Sequence, residues 1–195
     1  MNHTANANYL KTSILYWVPA TIHGVALSHT VNANCLHISI FDRVFTIWKK
    51  FKSGGYIDVP KTGQNKNEEK DNLKVYGLMA KKYGGKYALI TPDNTAGVKN
   101  PDAVNLKNYV YYDAKTQKGY SIKNAVQNGI HEASVQKAGE VIIRLNREAT
   151  YKEVKSGLKA ALQKGRAKTL KQVVILDVNG NLKQYDADKL RELFK

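Results

Sequence analysis

One cysteine, Cys35, stands in the whole chain. That scarcity excludes an internal disulfide framework and any Cys-rich zinc centre, and the lone thiol reads as a small buried residue rather than a nucleophile. Long apolar runs are missing as well. The nearest approach, ILYWVPATIHGVAL at residues 14–27, is interrupted by Pro19 and His23 and falls short of the roughly 20 residues that a membrane span requires. It also lacks a basic leading region and a small-residue cleavage site, so neither a membrane span nor an export signal of the chain's own is expected. Acid is the third shortage: 16 Asp and Glu face 31 Lys and Arg, for a formal charge of +15. Residues 1–48 contribute only Lys11, Asp42 and Arg43, which leaves 29 basic against 15 acidic residues beyond them. The cationic surface therefore belongs to the later segment. Such a charge favours polyanions through phosphate neutralisation and counterion release, and it carries little sequence specificity. Nucleic acid is the expected partner, with an anionic membrane surface as the alternative.

A chain of 195 residues suits one domain with an appendage, or two small domains. Residues 1–55 are poor in charge and hold four of the five histidines, His3, His23, His29 and His37, at spacings that match no metal-ligand pattern. The run PKTGQNKNEEK, residues 60–70, has the composition of a polar linker, and residues 56–195 read as the folded domain. Apolar residues at helical spacing in LKVYGLMAKKYGG predict a helix over about 68–83, closed by paired glycines. KYALI predicts a strand. Ser121 caps a helix whose stripe is Ile122, Ala125, Val126, Ile130 and Ala133, with Gly139 as its stop. VIIRL and VVILD are continuous apolar strands of the kind buried on both faces. Between them, Thr150 and Glu153 form a capping box for a helix reaching Gly165. Asn179-Gly180-Asn181 turns the chain into LKQY, and Asp186 caps a short last helix. Strands separated by such helices imply an α/β (α+β) fold, a central mixed sheet flanked by helices.

The stretch KNPDAVNLKNYVYYDAKT, residues 99–116, asks for a chemical explanation. Ala103–Leu106 and Tyr109–Ala114 read as the strands of a hairpin turning at Lys107-Asn108. Side chains alternate along a strand, so Asp113 and Lys115 share a face, and Asp102 at the mouth of the first strand can reach it. Two carboxylates and an ammonium at one spot are costly unless a cation or a reacting anion completes the set. From spacing alone the alternative is a solvated hairpin end.

Pro101-Asp102, about ten residues, then Asp113-Ala114-Lys115 resembles the PD-(D/E)xK nuclease pattern, and the order of helix, hairpin, helix and buried strand around it resembles a restriction-endonuclease-like core. More widely, GGYIDVPKTG, DNLKVYGLMAKKYGGKYALI, KNPDAVNL, YYDAKT, SIKNAVQNGIHEASVQKAGEVIIRL and LKQVVILDVNGNLKQY, about residues 54–185, resemble the C-terminal toxin domains of contact-dependent growth inhibition proteins and related nucleases of phage and mobile elements. The resemblance implies a toxin nuclease that cleaves RNA, transfer RNA before others, or DNA. It implies Asp102 and Asp113 as ligands of a divalent metal, Mg²⁺ first and Zn²⁺ or Mn²⁺ next, with Lys115 supporting the attacking water. It also implies Gln136 in the site and a further metal ligand on the first helix, at Asp71, Glu69 or Glu68. An acidic immunity protein is the implied partner, and the cytoplasm the implied place of action, after delivery from another cell or from a phage.

Lys118 and Lys123 can contact phosphate or stand as solvated charges. Gln136 can orient the substrate or cap its helix. Tyr109, Tyr111 and Tyr112 can stack unpaired bases or pack the hairpin. His131 is the general base that a metal-independent ribonuclease of the barnase and colicin type would need. A non-enzymatic nucleic-acid-binding module accounts for the charge equally well.

Overall fold

The computed structural model describes residues 45–60, 66–93, 95, 98, 100–163 and 165–194. Cys35, the four early histidines and the apolar run at 14–27 lie outside them. Among the described residues eight strands form one sheet in sequence order: β1 Phe45–Lys50, β2 Tyr56–Pro60, β3 Lys86–Leu89, β4 Ala103–Asn105, β5 Val110–Thr116, β6 Glu140–Arg144, β7 Gln172–Leu176 and β8 Leu182–Asp186. Helix α1, Lys66–Tyr83, joins the parallel strands β2 and β3. Helices α2, Ile122–Val135, and α3, Tyr151–Ala161, make the crossovers of the parallel set β5, β6 and β7. The other neighbours are antiparallel, and α4, Ala187–Leu193, ends the described chain.

The continuous apolar runs of β6 and β7 are explained by burial on both faces. Val141, Ile143, Val173 and Ile175 pack beneath α2 and α3, whereas Ile142, Val174 and Leu176 join α1 residues Val75, Tyr76 and Met79 in a second core. Each isoleucine fully withdrawn from water contributes on the order of 2 kcal/mol. The capping box at Thr150 and Glu153 forms in both directions, and Asp186 caps α4 by accepting from the Lys189 amide. No helix among the described residues is long and apolar enough to cross a membrane.

The expected order from the first helix onward is present, but the sheet starts earlier. Strand β1 precedes the boundary placed at residue 55 and pairs antiparallel with β2; a shift in composition there does not interrupt the strand ladder. Helix α1 begins at Lys66, inside the run expected to be linker. Two helix stops also move. Helix α2 ends at Val135 with Gln136 as its cap. Lys137, not Gly139, takes the positive φ of 58°, while the amides of Lys137 and Ala138 bond to Ser134 and Ala133 carbonyls. Gly139 serves contact instead, since a Cβ there would lie 2.7 Å from Val110 Cγ1. Helix α3 closes at Ala161 with Leu162 as its cap, short of Gly165. The hairpin turn is longer than two residues: Tyr109 has φ of 56° and donates its amide to the Asn105 carbonyl at 2.7 Å, so β5 starts at Val110.

Helix α3 crosses α2 at Gly157, where an added Cβ would lie 2.7 Å from Val126 Cβ and 2.8 Å from the Lys123 carbonyl oxygen. Alanine gains about 1 kcal/mol in helix propensity, yet overpacking costs about 1–3 kcal/mol. Gly157→Ala is therefore expected to destabilise the protein by roughly 1 kcal/mol in urea unfolding; a stabilised variant would show that the crossing is looser than this.

Candidate active site

The hairpin brings Asp102, Asp113 and Lys115 together. Asp113 and Lys115 lie opposite Val141 and Ile143 of β6, on the face covered by α2. Their neighbours Tyr112 and Ala114 turn to the α1 core. Asp102 extends the β4 ladder by one residue: its amide donates to the Tyr112 carbonyl at 2.9 Å, and its own carbonyl accepts from Ile90 at 2.9 Å. Its carboxylate accepts the Ala114 amide at 2.6 Å, which turns it along the sheet towards Asp113 rather than outward. Lys115 Nζ lies 3.0 Å from Asp113 Oδ2 and 3.9 Å from Glu132 Oε2 on α2.

Asp113 is wholly buried, at 0% exposure, and neither of its carboxylate oxygens receives a well-directed hydrogen bond among the described residues. Lys115 and the Asp102 carboxyl are the side chains that meet it. They offset only part of the desolvation cost of a buried carboxylate. Burial, and then repulsion from Asp113, push the Asp102 carboxyl up to about 7, against the opposing pull of the Ala114 amide and Lys115. Burial also raises Asp113, with Lys115 drawing it down. Tyr76 of α1 is fully buried with an unpartnered hydroxyl. Its acidity is suppressed by burial first and then by Asp102 and Asp113, which puts it within their field.

Gln136 acts at one remove. Its Oε1 accepts the Asn100 amide at 3.0 Å, tying the end of α2 to the segment that delivers Pro101 and Asp102. Asn100 in turn grips Asp93, donating from its side chain to the Asp93 carbonyl at 2.8 Å and accepting the Asp93 amide at 2.8 Å.

The first-helix acid is not part of this group. Asp71 pairs with Arg144 at 3.1 Å, and Arg144 alternates with Ile143 onto the α1 side of the sheet. Among the described residues no three His, Cys, Asp or Glu side chains are gathered as cation ligands. Glu68 is exposed and Glu69 half-buried, both in the first turn of α1. The tyrosines divide: Tyr112 is core, while Tyr109 and Tyr111 are exposed. Lys118 and Lys123 are exposed. His131 lines a cleft between α2 and α3 with Gln127, Asn128 and Arg166. Sequence reasoning missed Glu132 and Tyr76. Glu132 could have been found one turn along α2 from Asn128, on a polar flank; Tyr76 was hidden by a helical stripe that reads simply as core.

A buried carboxylate beside a half-buried one, with an attendant lysine, is the site that this mixed sheet builds. Residues 99–182 match the model of the contact-dependent growth inhibition CdiA C-terminal domain family. The matched stretch contains Asp102, Asp113, Lys115 and Gln136 and leaves out Asp71. The chain is also similar in path to a CdiA-CT/CdiI toxin and immunity complex from Burkholderia pseudomallei, at 15% identity and a TM-score of 0.46, covering 67% of this chain and 98% of that one. No curated protein matches.

Asp102 binds its proton more tightly folded, at about 7, than at its ordinary 3.8. The native state thus holds more proton between these values, and stability falls as pH rises from about 4 to 7. Asp102→Asn keeps an acceptor for the Ala114 amide without the charge. It is expected to raise the melting temperature at pH 7.5 by several degrees, with little change at pH 4.5. An equal shift at both pH values would contradict the burial of this charge.

Proposed function

We propose that the domain is a metal-dependent nuclease of toxin type, hydrolysing phosphodiester bonds in RNA, transfer RNA before others, or in DNA. The observation that carries this reading is Asp113, buried with neither oxygen accepting a well-directed hydrogen bond, beside Asp102 and 3.0 Å from Lys115. Two adjoining carboxylates, one of them buried and both with their proton affinity raised by burial, suit a hard divalent cation, Mg²⁺ or Mn²⁺. Zn²⁺ fits less well, since it favours His and Cys ligands.

Asp102 and Asp113 would hold the cation, which when bound supplies Lewis acidity towards phosphate oxygen. Lys115 has a stem placed by β5 and an ammonium that can leave its ion pair for a phosphate oxygen, where it offsets charge developing in the transition state. Glu132 tethers that ammonium from α2 at 3.9 Å. Gln136 keeps Asp102 in place through Asn100. The family match and the net charge of +15 support a toxin held in check by an acidic immunity protein, because opposite charge speeds association. They also support delivery from another cell and action in the recipient cytoplasm.

Purified protein incubated with total RNA and with plasmid DNA is expected to cleave at least one of them with Mg²⁺ and neither in chelator. Asp113→Ala and Lys115→Ala should each lower the rate by about 10²–10³. Cleavage that persists in chelator and depends on His131 would instead identify a metal-independent ribonuclease. Binding without turnover under any metal would leave a nucleic-acid-binding module.

A further inference from the structure

Tyr120 is 82% exposed, more than any other large hydrophobic residue described, yet the loop that carries it is firmly built. Gln117 continues the β5 ladder, donating its amide to the Arg144 carbonyl at 2.8 Å, and strand alternation puts its side chain on the face of Asp113 and Lys115. That side chain is buried, with 5% exposure. Its Nε2 donates to the carbonyls of Gly119 at 2.9 Å and Tyr120 at 3.3 Å, and its Oε1 accepts the Asn146 amide at 3.0 Å. Gly119 supplies the positive φ, 76°, that turns the chain. From the other side Arg147 Nε donates to the Tyr120 carbonyl at 2.8 Å. Its guanidinium lies 4.3 Å from the Tyr120 ring centroid and is anchored to Glu153. One ring face is thus backed by a fixed cation and the other is open to solvent.

Packing does not account for this arrangement, because the ring covers no core. An exposed aromatic face on a firmly held backbone, backed by a cation, meets what base stacking needs: a π surface that is already presented to solvent. Tyr120 follows Lys115 by only five residues, so the two Cα atoms are at most about 18 Å apart. Lys118 and Lys123 are exposed on either side and make no ion pair among the described residues. We propose that Tyr120, backed by Arg147, is a stacking platform for an unpaired base flanking the scissile position, with Lys118 and Lys123 meeting the adjoining phosphates. This rests on the nuclease reading and adds to it the substrate class, a strand unpaired near the cut.

The test uses the full chain with Asp113→Asn to suppress cleavage, and a fluorescein-labelled RNA and DNA ten-mer of mixed sequence, single-stranded and as duplexes, read by anisotropy. Tyr120→Ala is expected to weaken single-strand binding about 5- to 100-fold and duplex binding far less, while Tyr120→Trp and Tyr120→Phe stay within about threefold of the parent. Equal affinity of the Tyr120→Ala variant for single strands would overturn the platform, as would a loss matched by Tyr120→Phe, which would implicate the hydroxyl. An alanine variant that binds nucleic acid normally but loses a co-expressed acidic partner would overturn it too, marking a protein contact. If the unsubstituted chain cleaves substrate and Tyr120→Ala changes nothing, only the platform falls. If the chain cleaves neither single strands nor duplexes, and neither total RNA nor plasmid DNA with Mg²⁺, the nuclease reading falls with it.

Discussion

The burial of Asp113 is the constraint on which the site depends. A carboxylate at the centre of a sheet, covered by a helix and without a well-directed hydrogen bond, is tolerated because Lys115 sits two residues along the same strand face and pairs with it. Each partner is then fixed by backbone rather than by its own freedom. Asp102 is tied to the Ala114 amide, so the strand between the two acids also sets their approach. Lys115 is set by β5, and its ammonium is shared with Glu132.

Helix α2 can lie this close to the strand because it is small where it crosses. At Gly129 an added Cβ would stand 3.1 Å from Ile143 Cγ1 and 3.5 Å from Lys115 Cβ, tighter than an ordinary contact against the first and already touching the lysine stem. The far end of the same helix holds the Asp102 segment through Gln136 and Asn100, and its first turn follows the loop of Tyr120. One helix therefore covers Asp113, limits Lys115 and bounds the hairpin at both ends. The opposite core, with Tyr76, Tyr87 and Tyr112 in edge and tilted contacts, supports β5 from beneath.

Much of this was legible in the sequence, for reasons that differ by residue. Alternation alone places Asp113 and Lys115 together, since a strand leaves no choice of face. The apolar runs of β6 and β7 announced burial on both sides, and Thr150 with Glu153 announced a helix start through a purely local motif. Asp102 could be named but not aimed, because its orientation depends on a bond across strands. Asp71 failed for a related reason: helical position gives a direction, but only the sheet decides that Arg144 stands in its path. Gly139 was read as a helix stop when its role is contact with Val110, a partner 29 residues away. Strand β1 escaped because the charge-poor composition ahead of residue 48 resembled a separate segment, and β2 because it abuts the run that read as a polar linker.

The central claim is that Asp102 and Asp113 form one cation site. Calorimetric titration of Mn²⁺ into metal-free protein at pH 7.5 tests it most directly. The account predicts one saturable site per chain, weakened at least about tenfold in Asp113→Asn, the size expected when one of two charged ligands is lost. Absence of saturable binding at millimolar Mn²⁺, or binding that Asp113→Asn leaves unchanged, would contradict it.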